Sequence, residues 1–306
     1  MSIINYLKLT RINRPIGIWL LYLPCLFGVF LQAKLSDLEL MMIVKVILWF
    51  LVGSVLMRSA GCVINDLFDR KFDRQVKRTK GRPLASGDVS IFGALFLLFI
   101  LLNVSLAILL QFNLVTVISG FMILSLVILY PLMKRFTYYP QLFLGVTFNF
   151  GVIMSCLALK DGINIQAGIL YLACIFWTLI YDTIYGFQDL EDDMRIGVKS
   201  TAIKFKDNPR LILMILNFLM FLSFAFLGIA SGFESTYFLG VLTASLFLDY
   251  KLKRCDLTDA LQCLKLFKQN IWVGMIILIA IAFGKMKVGI LGGSFNPAHQ
   301  GHLHLA

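Results

Sequence analysis

Eight of the seventeen acidic residues in this chain fall in two short stretches. The first holds Asn65, Asp66, Asp69 and Asp73 directly after an apolar run. On a continuous helix Asn65, Asp69 and Asp73 lie at i, i+4 and i+8 on one face, with Asp66 close by. The second holds Asp182, Tyr185, Asp189 and Asp193 at spacings of three, four and four, with Glu191 and Asp192 between them. Packed carboxylates repel and raise one another's pKa unless a cation neutralises them. A hard divalent ion fits: Mg²⁺ takes oxygen ligands and is usually shared between one or two carboxylates and the phosphates of a substrate. Two such stripes facing each other would hold a diphosphate through bridging metal ions, with Arg74, Lys77, Arg78 and Lys199 near enough to contact phosphate oxygens. One cluster alone would read as solvated charge at a helix end. Two of matching spacing point to a pseudo-repeat around a shared central cavity.

The elements that must position these stripes are membrane helices. Apolar residues are 59% of the 306-residue chain and charged residues 15%, with mean hydropathy +0.85. Runs long enough for a bilayer core occur near 16–32, 40–64, 91–110, 112–132, 142–159, 165–187, 211–230, 236–249 and 271–284, the last two short. The expected fold is therefore all-α, a polytopic membrane protein of about nine helices around a central cavity. Lys and Arg recur in the N-terminal arm and in every even loop, while the odd loops carry almost none. This places the N-terminus and both acidic stripes on the cytoplasmic side. Topology accounts for the net charge of +11 without a nucleic-acid partner. No cleavable signal pattern precedes the first span. Six scattered cysteines without a C-x-x-C pair read as packing residues rather than disulfides or a zinc site.

Three motifs in order carry a family resemblance. The first stripe continues into Val76-Lys77-Arg78-Thr79 and Arg82-Pro83-Leu84-Ala85-Ser86-Gly87. The second runs from Tyr181-Asp182 through Asp189-Leu190-Glu191-Asp192-Asp193 to Gly197-Val198-Lys199-Ser200-Thr201. A third, Tyr130 to Thr137, contains Tyr130, Lys134 and Arg135, and Arg11, Arg14 and Pro15 open the chain in keeping. Over about residues 5–284 the chain resembles the UbiA superfamily of intramembrane prenyltransferases, on its 4-hydroxybenzoate branch. The resemblance implies a bacterial inner-membrane enzyme of ubiquinone biosynthesis that moves a polyprenyl group from its diphosphate to a ring carbon of an aromatic acid. It implies that Asn65, Asp69, Asp73, Asp189 and Asp193 bind Mg²⁺, with Tyr130 and Lys134 steadying the leaving diphosphate. Lys77, Arg78, Lys199 and Asp182 are the further substrate-binding candidates. Arg135 is the candidate for the acceptor's carboxylate and Arg58, two turns before Asn65, the alternative. Proton loss from the ring needs a weak base; Asp66, Asp189 or the diphosphate itself are the options. The acceptor is 4-hydroxybenzoate or another ring such as homogentisate, dihydroxynaphthoate or haem, and the prenyl tail lies in membrane lipid. Neither chain length nor oligomeric state is readable from apolar surfaces.

Residues 286–306 read differently. A β-prone run, a glycine turn and His299-x-Gly301-His302 resemble the start of a nicotinate-nucleotide adenylyltransferase, far short of a nucleotide-binding domain. The expectation is a functional domain at 1–285 and an inert, disordered tail at 286–306, with His299, His302 and His304 holding no metal. A tethered nucleotidyltransferase is thereby the weakest alternative. A transporter would need acidic residues at mid-membrane depth, and the spans contain almost none there.

Overall fold

The computed structural model describes residues 3–160 and 162–286, which form helices and turns. In chain order these are α1 (Ile3–Thr10), α2 (Ile16–Leu35), α3 (Leu40–Asp73), α4 (Pro83–Ser86), α5 (Ile91–Leu109), α6 (Leu114–Phe136), α7 (Pro140–Asn149), α8 (Gly151–Leu159), α9 (Ile165–Gly186), α10 (Leu190–Ile196), α11 (Thr201–Lys204), α12 (Pro209–Ser231), α13 (Ser235–Arg254) and α14 (Ala260–Phe283). Among the described residues eight segments are long and apolar enough to cross a bilayer: α2, α3, α5, α6, the α7–α8 pair, α9 with its continuation to Ile196, α12 and α14. The run expected at 236–249 forms the 20-residue α13, which is not among those eight. Its last turn carries Lys251, Lys253 and Arg254, which leaves it more polar than the rest. The tail calls, from Lys287 through the three histidines, lie outside the described residues.

Burial separates inner helices from lipid-facing ones. In α2 and α9, 67% of the apolar window is buried, against 11% in α5. Helix α9 packs on α12, α7 and α14, while α2 packs on α8, α14 and α3. The α9 side chains Trp177 and Tyr181 are fully buried and stack edge-on at 5.5 Å, with Phe27 of α2 at 6.0 Å from Trp177. The indole N–H, which would be costly unpaired, donates to Asn270 of α14 at 3.2 Å. Side-chain caps fix where several helices begin: Asn113 accepts from Thr116 N–H, Asn164 from Ala167 N–H and Asp259 from Leu261 N–H.

Two helices carry the site beyond the apolar slab. With 34 residues α3 is about 51 Å long, well over a ~30 Å hydrocarbon core. Its last turns, from Asn65 to Asp73, stand at the polar end. Helix α9 ends at Gly186, tightens into a 3₁₀ turn at Phe187–Asp189 and resumes as α10. Gly197 closes α10 in the left-handed region, φ 74°, where its amide donates to the Asp193 carbonyl. That turn sends the chain back to α6, where Lys199 N–H donates to the Lys134 carbonyl at 2.9 Å.

Candidate active site

Because α3 stays helical through Asp73, one face carries Asn65, Asp69 and Asp73 as the spacing requires. Asp66, Asp69 and Asp73 are all buried. Buried carboxylates need partners, and cations supply them. Asp66 Oδ1 accepts from Arg11 and, at 3.2 Å, from Arg82. Arg82 also donates to Asp73 Oδ2 at 2.8 Å. Lys134 of α6 pairs with Asp69 Oδ2, while Asp69 Oδ1 is buried with no partner among the described residues. Arg11 reaches Asp66 from a left-handed backbone, φ 56°, a conformation that costs a non-glycine residue on the order of 1–2 kcal/mol.

The second stripe lies opposite. Asp182, Tyr185, Asp189 and Asp193 are each half-buried. The segment between α3 and α4 spans the two stripes through Arg78. Its guanidinium donates to both oxygens of Asp189, to Oδ1 at 2.8 Å, and to Tyr185 Oη at 2.7 Å while lying over that ring. Burial opposes the charge on Arg78, but bonding to Asp189 and the nearby Tyr185 more than offset it, so the side chain stays protonated. Asp192 lies off the chamber, accepting from Lys77 N–H at 3.1 Å and from Arg195 at 3.0 Å.

Between the stripes is a polar chamber of about 160 Å³ lined by five carboxylates, those of Asp69, Asp73, Asp182, Asp189 and Asp193, and four cations, Arg78, Arg82, Lys134 and Lys199. It abuts a second cavity of about 1400 Å³. Asn65, Arg78, Arg82, Tyr130, Asp182 and Tyr185 form walls of both. The larger cavity descends among α2, α3, α5 and α6 past Trp49, Phe50, Met57, Leu106, Phe121 and Leu124. Arg58 projects into it, over the Phe148 ring at 5.3 Å, in space that a Cβ at Gly17 would fill. It makes no ion pair among the described residues. A polar head site thus opens into a mainly apolar cavity into which the Arg58 guanidinium projects.

Most of the expected site residues converge here, and several expectations change. Arg135 lines neither cavity: it donates to the Phe68 carbonyl at 3.0 Å and stacks on Phe72. Consecutive helical residues point about 100° apart, so turning Lys134 toward Asp69 turns Arg135 away. Lys77 is exposed and contributes its backbone rather than its charge. Asp66 and Asp189, two of the options for a base, are both engaged by guanidinium groups, Asp66 by Arg11 and Arg82 and Asp189 by Arg78. Asp182 lines both cavities and makes no ion pair among the described residues. Lys199 lines the polar chamber and donates to the Phe136 carbonyl at 3.2 Å. Arg11, Arg82 and Phe148 carry site contacts that the motifs alone left without a role.

Among the described residues no three His, Cys, Asp or Glu side chains converge tightly enough to hold a metal by themselves. The chamber nevertheless suits a hard cation shared with a ligand. Its donors are carboxylate oxygens, and the orphaned Asp69 Oδ1 is a buried acceptor awaiting a positive partner.

Comparison with known proteins follows the same outline. The model of the UbiA prenyltransferase family matches residues 21–274. The mitochondrial 4-hydroxybenzoate polyprenyltransferase of Schizosaccharomyces pombe is 42% identical over 281 residues, covering 90% of this chain and 78% of its own. The 4-hydroxybenzoate octaprenyltransferase of Francisella tularensis subsp. novicida is 42% identical over 278 residues, covering 90% and 95%. Among solved structures, a UbiA homologue from Aeropyrum pernix superposes with a TM-score of 0.70 at 21% identity, over 87% of this chain and 97% of that one. One from Archaeoglobus fulgidus bound to DMAPP and Mg²⁺ gives 0.62 at 18% identity, over 89% and 99%. At those identities the two structures speak to the fold.

Proposed function

Since the chain belongs to the UbiA prenyltransferase family, we propose that it transfers a polyprenyl group from polyprenyl diphosphate to a ring carbon of 4-hydroxybenzoate in ubiquinone biosynthesis. The observation that carries this reading is the junction of two cavities through a common wall. One is small and lined by opposed carboxylates and cations; the other is large and mainly apolar, with Arg58 among its charged lining residues. A diphosphate head fits the first, and a polyprenyl chain with a small aromatic acid fits the second. The relatives bearing the 4-hydroxybenzoate name support the choice of acceptor.

Asn65, Asp69, Asp73, Asp189 and Asp193 are the proposed ligands of a divalent ion, with Mg²⁺ as the proposed species. When bound, such an ion neutralises charge on the departing diphosphate. Lys134 and Tyr130 sit at the chamber wall, where they hold leaving-group oxygens; Lys199, Arg78 and Arg82 add donors. Arg58 holds the acceptor's carboxylate, its guanidinium steadied by the Phe148 face. The C–O bond of the allylic diphosphate breaks with its electron pair going to oxygen, and a ring π pair forms the new C–C bond. The ring proton then leaves to a weak base. Asp182 is placed for that at the seam of the two cavities and, unlike Asp66 and Asp189, makes no salt bridge among the described residues.

The N-terminus and site are proposed to face the cytoplasm of a bacterial inner membrane, a placement supported by the basic even loops. Residues 1–285 are proposed to carry the activity, with 286–306 dispensable. The test is transfer in membranes containing this chain, supplied with labelled 4-hydroxybenzoate and a polyprenyl diphosphate, with Mg²⁺ or with excess chelator. Metal-dependent labelled lipid is the expected product. Product from homogentisate or dihydroxynaphthoate but not from 4-hydroxybenzoate would reassign the acceptor. No product from any ring, with insertion verified and residues 1–285 equally inactive, would overturn the reading.

A further inference from the structure

The carboxylates proposed to bind metal are not idle in this structure. Arg78 covers both oxygens of Asp189, Lys134 takes one oxygen of Asp69, and Arg82 takes Asp73. Each of these cations also lines the chamber in which a diphosphate would sit. A metal ion and Arg78 therefore compete for Asp189, and a diphosphate and Asp189 compete for Arg78. Four cations face five carboxylates across the chamber, and three of those cations are already paired. A divalent ion entering alone must take Asp189 from Arg78, Asp73 from Arg82 and one oxygen of Asp69 from Lys134. A diphosphate entering alone meets Arg78, Arg82 and Lys134 already held by those carboxylates. Entering together, the two exchange the old pairs for new ones of the same kind.

Given the diphosphate chemistry proposed above, we infer that Arg78 is a displaceable counter-ion, which releases Asp189 to the metal as it turns onto the diphosphate. The geometry allows the exchange. Arg78 sits in the unwound segment between α3 and α4, so it can swing without moving a helix. Its other anchor, Tyr185 Oη at 2.7 Å with the ring beneath the guanidinium, keeps it at the mouth of the chamber. Metal and diphosphate then bind as a coupled pair, each strengthening the other by the same factor, as linkage requires. This is a positioning role for Arg78, separate from holding the leaving group. It explains how a site with no ready-made cage of three carboxylates among the described residues waits for both ligands.

The prediction is a change of opposite sign in one variant. Mn²⁺ binding alone is followed by the electron paramagnetic resonance of the free ion, on the full chain in detergent. Inorganic diphosphate binding alone is followed with radiolabel in the presence of chelator. Arg78→Gln is expected to tighten Mn²⁺ by about tenfold and to weaken diphosphate by about tenfold, the scale of one charge-assisted contact. Unchanged or weaker Mn²⁺ binding by Arg78→Gln, where the parent chain binds both ligands, would overturn the exchange and leave Arg78 as a static support of Asp189. Should the variant fail to fold, the parent chain still decides. Mn²⁺ must bind at least tenfold tighter with geranyl diphosphate than without, beyond the chelation by free geranyl diphosphate measured in parallel; equal affinity overturns the inference. A parent chain that binds neither Mn²⁺ nor geranyl diphosphate would instead remove the prenyl-transfer reading, and the exchange with it.

Discussion

At the scale of single residues, the ion pairs divide the acidic side chains into two groups. Asp66 is buried between Arg11 and Arg82 and is an anchor, whereas Asp69 keeps one buried oxygen unpaired. Asp69→Ala and Asp189→Ala are expected to lower prenyl transfer by about a hundredfold or more while leaving membrane insertion intact; transfer by either at the parent rate would remove the metal-site argument. The two arginines once in competition for the acceptor now make different predictions. Arg58→Ala should raise KM for the aromatic acid by about 10- to 100-fold, the loss of a charge-assisted hydrogen bond, with a smaller change in kcat. Arg135→Ala should leave both within about twofold, since that side chain binds Phe68 and Phe72 outside the cavities. Kinetics with varied 4-hydroxybenzoate would separate them. The spacing of Asn65, Asp69 and Asp73 was legible because helical period alone puts them on one face. The choice between Arg58 and Arg135 was not, because it turns on the rotation of α6 set by Lys134 meeting Asp69, a contact across 65 residues of chain that no local pattern encodes.

At the scale of elements, the membrane helices follow their apolar runs, and departures occur where local chemistry intervenes. The run beginning near 40 continues as helix to Asp73, as the first stripe demanded. In the second stripe, the 3₁₀ turn at Phe187–Asp189 interrupts what the spacing suggested was one helix. No proline marks that break, and the Gly186 before it is a weak signal because glycine is common in membrane helices. The division of α7 from α8 at Phe150 is equally silent in composition. By contrast Gly197 is a readable stop, and its left-handed backbone sets the return of Lys199 to α6. Gly197→Val should cost about 1–2 kcal/mol of stability from the φ > 0 backbone alone. It should also reduce transfer further than its stability loss explains, because it displaces Lys199 from the chamber; thermal unfolding beside activity on the same preparation would check this. A variant with lowered stability and full activity at permissive temperature would mean that the return turn does not position the site.

At the scale of the whole molecule, basic loops alternate with neutral ones along a bundle whose inner helices are α2 and α9. The proposed orientation predicts that a cysteine at exposed Lys80 reacts with a membrane-impermeant maleimide only after the cytoplasmic face is opened, whereas one at exposed Gln111 reacts in intact cells. All six native cysteines are buried, so the background is low; the reverse labelling pattern would invert the topology. Deleting 287–306 is expected to leave transfer within about twofold of the parent, measured per inserted molecule.

The ion pairs also differ in when they can first form. Arg11, Asp66, Asp73 and Arg82 all belong to the first 82 residues, so this part of the network can close as soon as the second span and the loop after it have left the ribosome. Asp69 must wait for Lys134, and Arg78 must wait for Asp189, 111 residues further along. During synthesis the first stripe is therefore partly neutralised by its own neighbourhood while the bulk of the bundle is still absent. The two later pairs act as fasteners: they close only when α6 and then α9 arrive beside α3, so the two stripes are joined last, once the chain has grown past residue 189.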